Sequence, residues 1–112
     1  MPPDDIVRFR HMIEAGEAAC RFAQDRKRTD LDTDLMLLFA LVRAVEIIGE
    51  AASRISSESR LATPSIPWPL IVAMRNRLVH AYFDIDRDIL WKTITAEIPE
   101  LLNKLRAVFT EG

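Results

Sequence analysis

An all-α, up-down bundle of four main helices is the fold class that this sequence predicts. Apolar residues recur every three or four positions in four long segments, which is the spacing of an amphipathic helix. The connections between these segments are short, and short connections make neighbouring helices antiparallel. Gly and Pro are scarce inside the periodic segments. At 112 residues, we expect a single domain over residues 1–112 with a core that needs neither a disulfide nor a metal.

The composition restricts the function classes and the compartment. A net charge of −2 and a pI near 5.7 do not indicate a general nucleic-acid binder, so any contact with RNA must rely on a local basic patch. Cys20 is the single cysteine, which excludes an intrachain disulfide and fits a reducing cytosol. The sequence shows no signal peptide and no membrane span. We therefore expect a cytoplasmic protein with no membrane partner.

The first two helices are predicted from their caps and their apolar spacing. Helix 1 should begin near Asp4 or Asp5, either of which can cap it, and run to about Arg28. Helix 2 should begin after Asp30 as its cap and reach about Ser56. The apolar positions of helix 1 alternate by three and four: Ile6, Phe9, Ile13, Gly16, Cys20 and Ala23.

Helix 2 is apolar on two sides, so it is either central to its bundle or buried by a partner subunit. One stripe contains Leu31, Leu35, Leu38, Val42, Val45, Gly49, Ala52 and Ile55. The second contains Leu37, Leu41, Ala44, Ile48 and Ala51. Gly49 costs about 1 kcal/mol of helix stability relative to Ala, which indicates close approach of another backbone. Its polar stripe, Arg43, Glu46, Glu50 and Arg54, forms either a surface ladder or, in a dimer, a support for Arg75 or Arg77.

A break over residues 57–66 separates helix 2 from helix 3. Pro67 and Pro69 are compatible only with a first helical turn, so helix 3 starts there. Trp68 should pack at that start and anchor the loop. Helix 3 is expected to end near Phe83.

Helix 4 is predicted to follow an acidic turn in which Asp86 is the preferred cap. Pro99 falls inside this helix and should produce a kink after Glu97. Its apolar face contains Leu90, Ile94, Ile98, Leu101, Leu105 and Val108.

Helix 3 carries polar side chains of complementary chemistry. On a wheel of about 100° per residue, Arg75 and Tyr82 lie at the edge of the core stripe, while Asn76 and His80 share the outward face. The core stripe contains Ile71, Met74, Leu78, Ala81 and Ile85. Between the two polar pairs lies a narrow apolar strip formed by Val72 and Val79. This arrangement suggests a face completed by a second molecule; the alternative is a solvated helix face that carries one histidine.

The Arg/His pair suits phosphodiester cleavage without a metal. His80 can accept a proton from a ribose 2′-OH or donate one to the leaving oxygen. Arg75 presents a fork of donors that matches a phosphorane, Asn76 can orient the ring or the phosphate, and Arg77 is a further supporting cation. On one helix Arg75 and His80 diverge by about 140°, so two copies facing across a twofold axis would be needed to form one cleft. We expect no cofactor and no metal site.

A family resemblance lies in the same residues. The run Arg75-Asn76, three residues, His80-Ala81-Tyr82 resembles the R-x4-H-x-Y motif of HepT-like proteins in the HEPN superfamily. Two further segments, residues 45–52 and 66–68, continue the resemblance. It implies a HEPN-like domain that dimerises through the motif helix and acts as an endoribonuclease toxin.

The same resemblance implies a partner and a modification. HepT-like toxins are encoded beside a minimal nucleotidyltransferase antitoxin, which transfers AMP onto the motif tyrosine, here Tyr82. The expected partners are therefore RNA, a second copy of the chain and this antitoxin, in a homodimer or a higher hetero-oligomer. The alternative function is a non-catalytic helical nucleotide-binding or scaffold partner of a nucleotidyltransferase. The acidic pI favours that alternative, and the intact pair Arg75 and His80 disfavours it.

Overall fold

The computed structural model describes the backbone of residues 1–81 and 84–110, and the side chains of all of these except 79–81. The helices are α1 (Pro3–Ala23), α2 (Asp30–Thr33), α3 (Leu35–Ser53), α4 (Ser57–Ala62), α5 (Trp68–Leu78), α6 (Arg87–Lys92) and α7 (Ile98–Thr110). Two short strands, β1 (Val79–Ala81) and β2 (Asp84–Ile85), lie between α5 and α6, and a π-helical turn (Thr93–Glu97) joins α6 to α7. The fold is all-α, as predicted, and no described helix is long and apolar enough to cross a membrane.

Helix α3 is the centre of the bundle, which resolves the choice left open by its two apolar stripes. It packs against α1 on one side and α5 on the other. The second stripe, including Leu41 and Ile48, is buried within the protomer together with most of the first. Gly49 lies where α5 comes close, because a Cβ there would be 3.7 Å from the carbonyl oxygen of Ile71. The backbone of α5 thus passes near Gly49, but 3.7 Å is an ordinary contact distance for a Cβ, so the packing does not require glycine at this position.

The predicted end of the first helix and the predicted start of the second were wrong. Helix α1 ends at Ala23 and not near Arg28, since Asp25 adopts a left-handed backbone (φ 60°) that stops the helix. The predicted second helix is divided at Asp34, which caps α3 by accepting a hydrogen bond from the backbone N–H of Leu37. A short-range cap at Asp34 therefore replaces the one predicted at Asp30.

Asp5 does not cap α1 but connects it to α4, a helix that the sequence analysis assigned to a loop. The Asp5 carboxylate is buried and accepts hydrogen bonds from the Ser56 N–H and Oγ–H and from the Ser59 Oγ–H. Ser56 in turn caps α4 by accepting from the Ser59 N–H at 3.2 Å. The segment predicted as a break thus begins with a helix, because serine is a favourable N-cap.

The start of α5 agrees with the prediction. The helix begins at Trp68, with Pro69 in its first turn. Trp68 is buried, its Nε1–H donates to Thr63 Oγ1 at 3.2 Å, and its ring packs edge-to-face on Phe9 with centroids 5.6 Å apart. It therefore anchors the α4–α5 loop to α1.

The predicted end of this helix was wrong, and the error affects the motif. Helix α5 ends at Leu78, and the next residues form β1, which pairs antiparallel with β2. The Asp86 N–H donates to the carbonyl oxygen of Leu78 at 2.6 Å and closes this turn. β-branched Val79 suits a strand better than a helix, and Asp86 must be placed to cap α6. A helical wheel therefore cannot be extended to His80 or Tyr82.

The last helix is continuous from α6 to α7 except for its π turn. Asp86 caps α6 by accepting from the Ile89 N–H at 3.0 Å, as predicted. The π turn ends at Glu97, two residues before Pro99. A proline inside a helix removes one backbone donor and crowds the carbonyl four residues earlier. Here that carbonyl belongs to Thr95, so the irregularity expected from Pro99 takes the form of a π turn.

Candidate active site on α5

The described part of the motif lies on the outer surface of α5. Ile71, Met74 and Leu78 are buried, which confirms the predicted core stripe at these positions. Arg75, at the edge of this stripe, and Asn76, on the outward face, are both exposed. Both polar residues are therefore accessible to a ligand, whereas the core stripe holds the helix against α3.

Arg75 is oriented by a carboxylate of the same chain. Its Nε lies 3.4 Å from Oε2 of Glu46 on α3, and about half of the Arg75 side chain remains exposed (52%). The next carboxylate on α3, Glu50, pairs with Arg43 at 3.4 Å instead. The polar stripe of α3 thus supplies both a surface pair and a support for Arg75, and neither requires a second subunit.

Arg77 is directed to the other side of α5. Its guanidinium contacts Glu97 at the end of the π turn, with Nη2 3.1 Å from Oε1 and Nη1 3.4 Å from Oε2. Its Nε is buried and has no hydrogen-bond partner among the described residues. The structure therefore does not bring Arg77 together with Arg75: one ties α5 to α3, the other ties α5 to the last helix.

The structure describes only the backbone of one of the two remaining motif residues, His80 and Tyr82. The backbone of His80 lies in β1, and its side chain is outside the described residues. Tyr82 is wholly outside them. The predicted 140° divergence of Arg75 and His80 no longer applies, because the helix ends between them at Leu78.

Sequence reasoning missed Glu97 and left Glu46 undecided. Glu97 is 20 residues from its partner Arg77, and no local pattern connects the two positions. Glu46 could have been chosen from its place on a stripe that faces away from the core. Among the described residues, no group of three or more His, Cys, Asp or Glu side chains is arranged to hold a metal ion.

Comparison with known proteins identifies the family. The profile described as Ribonuclease HepT-like matches residues 12–108. The chain is 41% identical over 93 residues to a protein of Thermococcus cleftensis described as a probable ribonuclease HepT, covering 83% of this chain and 84% of that protein. It is 32% identical over 109 residues to a candidate RNase of Methanocaldococcus jannaschii, covering 96% and 100%.

A third relative, a candidate RNase of Caldanaerobacter subterraneus, is 38% identical over 93 residues, covering 80% of this chain and 83% of that protein. No solved structure matches the chain. The profile spans α5 and the whole R-x4-H-x-Y segment, where the exposed arginine lies. The chain belongs to the HepT-like ribonuclease family of the HEPN superfamily.

Proposed function

We propose that the protein is a metal-independent endoribonuclease toxin of a cytoplasmic toxin–antitoxin pair, with Arg75 and His80 as its catalytic residues. The observation that carries the proposal is the position of Arg75 within the family's motif. It is exposed on α5 and held by Glu46, while the neighbouring core stripe of the helix is buried. A cation held in place at the surface is suited to bind a phosphate without further rearrangement.

The chemistry follows from these two side chains. Neutral His80 takes the proton of a ribose 2′-OH, the 2′-oxygen forms a bond to phosphorus, and the bond to the 5′-oxygen breaks. The leaving oxygen receives a proton from an imidazolium, so the products are a 2′,3′-cyclic phosphate and a 5′-OH. Arg75 stabilises the negative charge that develops on the phosphorane, and Asn76 is placed beside it to orient the phosphate.

A homodimer is part of the proposal, because the second histidine would come from the other copy. The second stripe of α3 is buried within the protomer, so it is not part of this interface. Exposed apolar residues instead support an interface that includes Val72 on α5 (37% exposed) and, at the start of α3, Met36 and Phe39. Val79→Arg should yield monomers that have lost activity. A monomeric wild-type protein at micromolar concentration in sedimentation would refute the dimer.

Regulation by the nucleotidyltransferase antitoxin is proposed to act on Tyr82. The proposal rests on the motif, in which the modified tyrosine lies two residues after the histidine. AMP on the phenol adds negative charge and bulk next to the catalytic segment, which would exclude RNA. Tyr82→Phe should keep ribonuclease activity and escape the antitoxin. Intact mass is measured after co-expression with the nucleotidyltransferase. A mass gain of one or more AMP units on wild type but not on Tyr82→Phe supports modification of Tyr82. Equal mass gains on both proteins would mean that another residue is modified.

The decisive experiment for catalysis compares three purified variants on total RNA. His80→Ala and Arg75→Ala should each lose at least about 100-fold in cleavage rate, since one proton-transfer group or one charge-stabilising donor typically contributes that much. Arg21→Ala, in a cleft that α1 forms with α7, controls for loss of an arginine and for contaminating nuclease. EDTA should not change the wild-type rate. Full cleavage by a folded His80→Ala protein would leave only the non-catalytic partner function.

A further inference from the structure

A groove between α1 and α3 concentrates positive charge on a protein whose net charge is negative. It is open to solvent and has a volume of about 340 Å³. Its floor is apolar, formed by Val7, Ile47 and Ala51. Its rim carries the cations Arg8, Arg43 and Arg54 with His11, and the carboxylates Asp4 and Glu50. We propose that this groove binds the phosphate backbone of single-stranded RNA next to the catalytic segment, an inference that rests on the proposed ribonuclease function.

Two of the three arginines, Arg8 and Arg54, form no ion pair among the described residues. Arg43 is paired with Glu50 at 3.4 Å. Arg8 donates from Nη1 to the backbone carbonyl of Arg54 at 3.3 Å, which fixes its guanidinium, and the buried Asp5 carboxylate offsets part of its charge. The Arg54 side chain is exposed and has no ion-pair partner among the described residues. Because Glu50 pairs with Arg43, Asp4 is the other carboxylate that lines the groove with Arg8, Arg54 and His11.

The groove adjoins the candidate active site through one face of α3. Arg43, Glu46 and Glu50 follow one another at three- and four-residue spacing, so they share that face. On one flank of this face lies α1 with the groove, and on the other flank Glu46 holds Arg75 of α5. Arg54 is eight residues beyond Glu46, a distance of about 12 Å along the helix axis. A strand that passes Arg75 can therefore continue across α3 into the groove.

The lining of the groove favours the backbone of RNA over its bases. Guanidinium groups match phosphate with two parallel hydrogen bonds, which favours arginine at such sites. Its residues include no Phe, Tyr or Trp, the side chains on which single-stranded bases stack. Contacts to phosphate position a strand without reading its sequence. The groove should therefore raise affinity for single strands of any sequence.

Equilibrium binding to a labelled, single-stranded 2′-O-methyl RNA tests the proposal, because this probe lacks the 2′-OH nucleophile and is not cleaved. The test variant is Arg8→Ala/Arg54→Ala. The matched control is Arg10→Ala/Arg21→Ala, which removes two arginines of α1 outside the groove: Arg10 lies over the Phe109 ring, and Arg21 lines a cleft with α7. Each lost phosphate contact to a single strand lowers the slope of log affinity against log salt by about 0.7. The test variant should thus lose about 1.4 in slope and roughly tenfold in affinity, and the control neither.

Each outcome decides the proposal. Wild-type affinity and slope in the test variant would overturn it, and so would equal losses in test and control, which indicate a response to net charge alone. Arg8→Lys/Arg54→Lys keeps both charges, so it should restore the salt slope if phosphate binding is the role, and thermal unfolding of all variants shows whether they fold. If the test variant binds the nucleotidyltransferase more weakly but binds RNA with wild-type affinity, the groove is a protein-binding surface and the proposal is wrong. Cleavage of unmodified RNA by wild type and His80→Ala is scored separately, so failure of the ribonuclease proposal is distinguishable.

Discussion

Replacing Asp5 with alanine should destabilise the protein by about 3 kcal/mol. The carboxylate is 2% exposed and accepts three hydrogen bonds from two serines of α4 and its N-cap. Hydrogen bonds to a charged group contribute about 1.5–3 kcal/mol each. The serine hydroxyls can turn to other acceptors but the Ser56 N–H cannot, so the net loss is less than the sum of the three. With a urea m-value of about 1.5 kcal/mol per M, the midpoint should fall by about 2 M.

The difference in unfolding free energy between wild type and Asp5→Ala should also depend on pH, which gives a second test of the role of Asp5. Hydrogen bonds from Ser56 and then Ser59 lower the pKa of Asp5 below its ordinary value of 3.8. A carboxyl whose pKa is lower in the folded state stabilises the fold above the unfolded pKa, and this contribution is lost as the pH falls through the folded pKa. The difference between wild type and Asp5→Ala should therefore be full at pH 7 and shrink below about pH 4.

The matched control for Asp5 is its exposed neighbour. Asp4→Ala should change the unfolding free energy by less than about 0.5 kcal/mol, since it removes a surface carboxylate. All three proteins are unfolded at one concentration, because the proposed dimer would make apparent stability concentration-dependent. A loss of unfolding free energy below about 1 kcal/mol for Asp5→Ala would refute the assignment of Asp5 as the residue that joins α1 to α4. A stability difference between wild type and Asp5→Ala that stays constant from pH 7 to pH 3 would refute it as well.

Two further features of the packing, the glycines of α1 and α3 and the ion pair between Arg77 and Glu97, each predict different effects for paired variants. Gly49→Ala should stabilise the protein by about 0.5–1 kcal/mol in urea unfolding, because its Cβ would make ordinary contacts with the backbone of α5. Gly16→Ala should be at least about 1 kcal/mol less stable than Gly49→Ala, since its Cβ would lie 2.9 Å from a buried leucine of α7; equal effects would contradict the packing. Arg77→Ala and Glu97→Ala should each cost about 1 kcal/mol and be less than additive when combined, as expected for one partly exposed ion pair. Both should retain far more RNA cleavage than the Arg75 variant, and a comparable loss would place Arg77 in the catalytic site.

The local features of the fold could be predicted from the sequence. The apolar spacing identified Ile71, Met74 and Leu78 as buried, and the prolines placed the start of α5 at Trp68. Asp86 was identified as a cap from its position before an apolar run. Periodicity and capping depend on residues within one or two helical turns, so the sequence contains all the information that these features need.

The contacts that shape the site were decided by tertiary structure. Helix α5 ends at Leu78 because the following strand pairs with β2, a competition between local structures that the helical pattern did not show. The orientation of Arg75 depends on Glu46, 29 positions earlier in the chain, and that of Arg77 on Glu97. Such partners meet only when α3 and the last helix pack on α5. The sequence by itself determined the bundle, the core stripe of α5 and the motif. Packing decided which face of α1 is most buried, where the motif helix stops and which carboxylate holds each arginine.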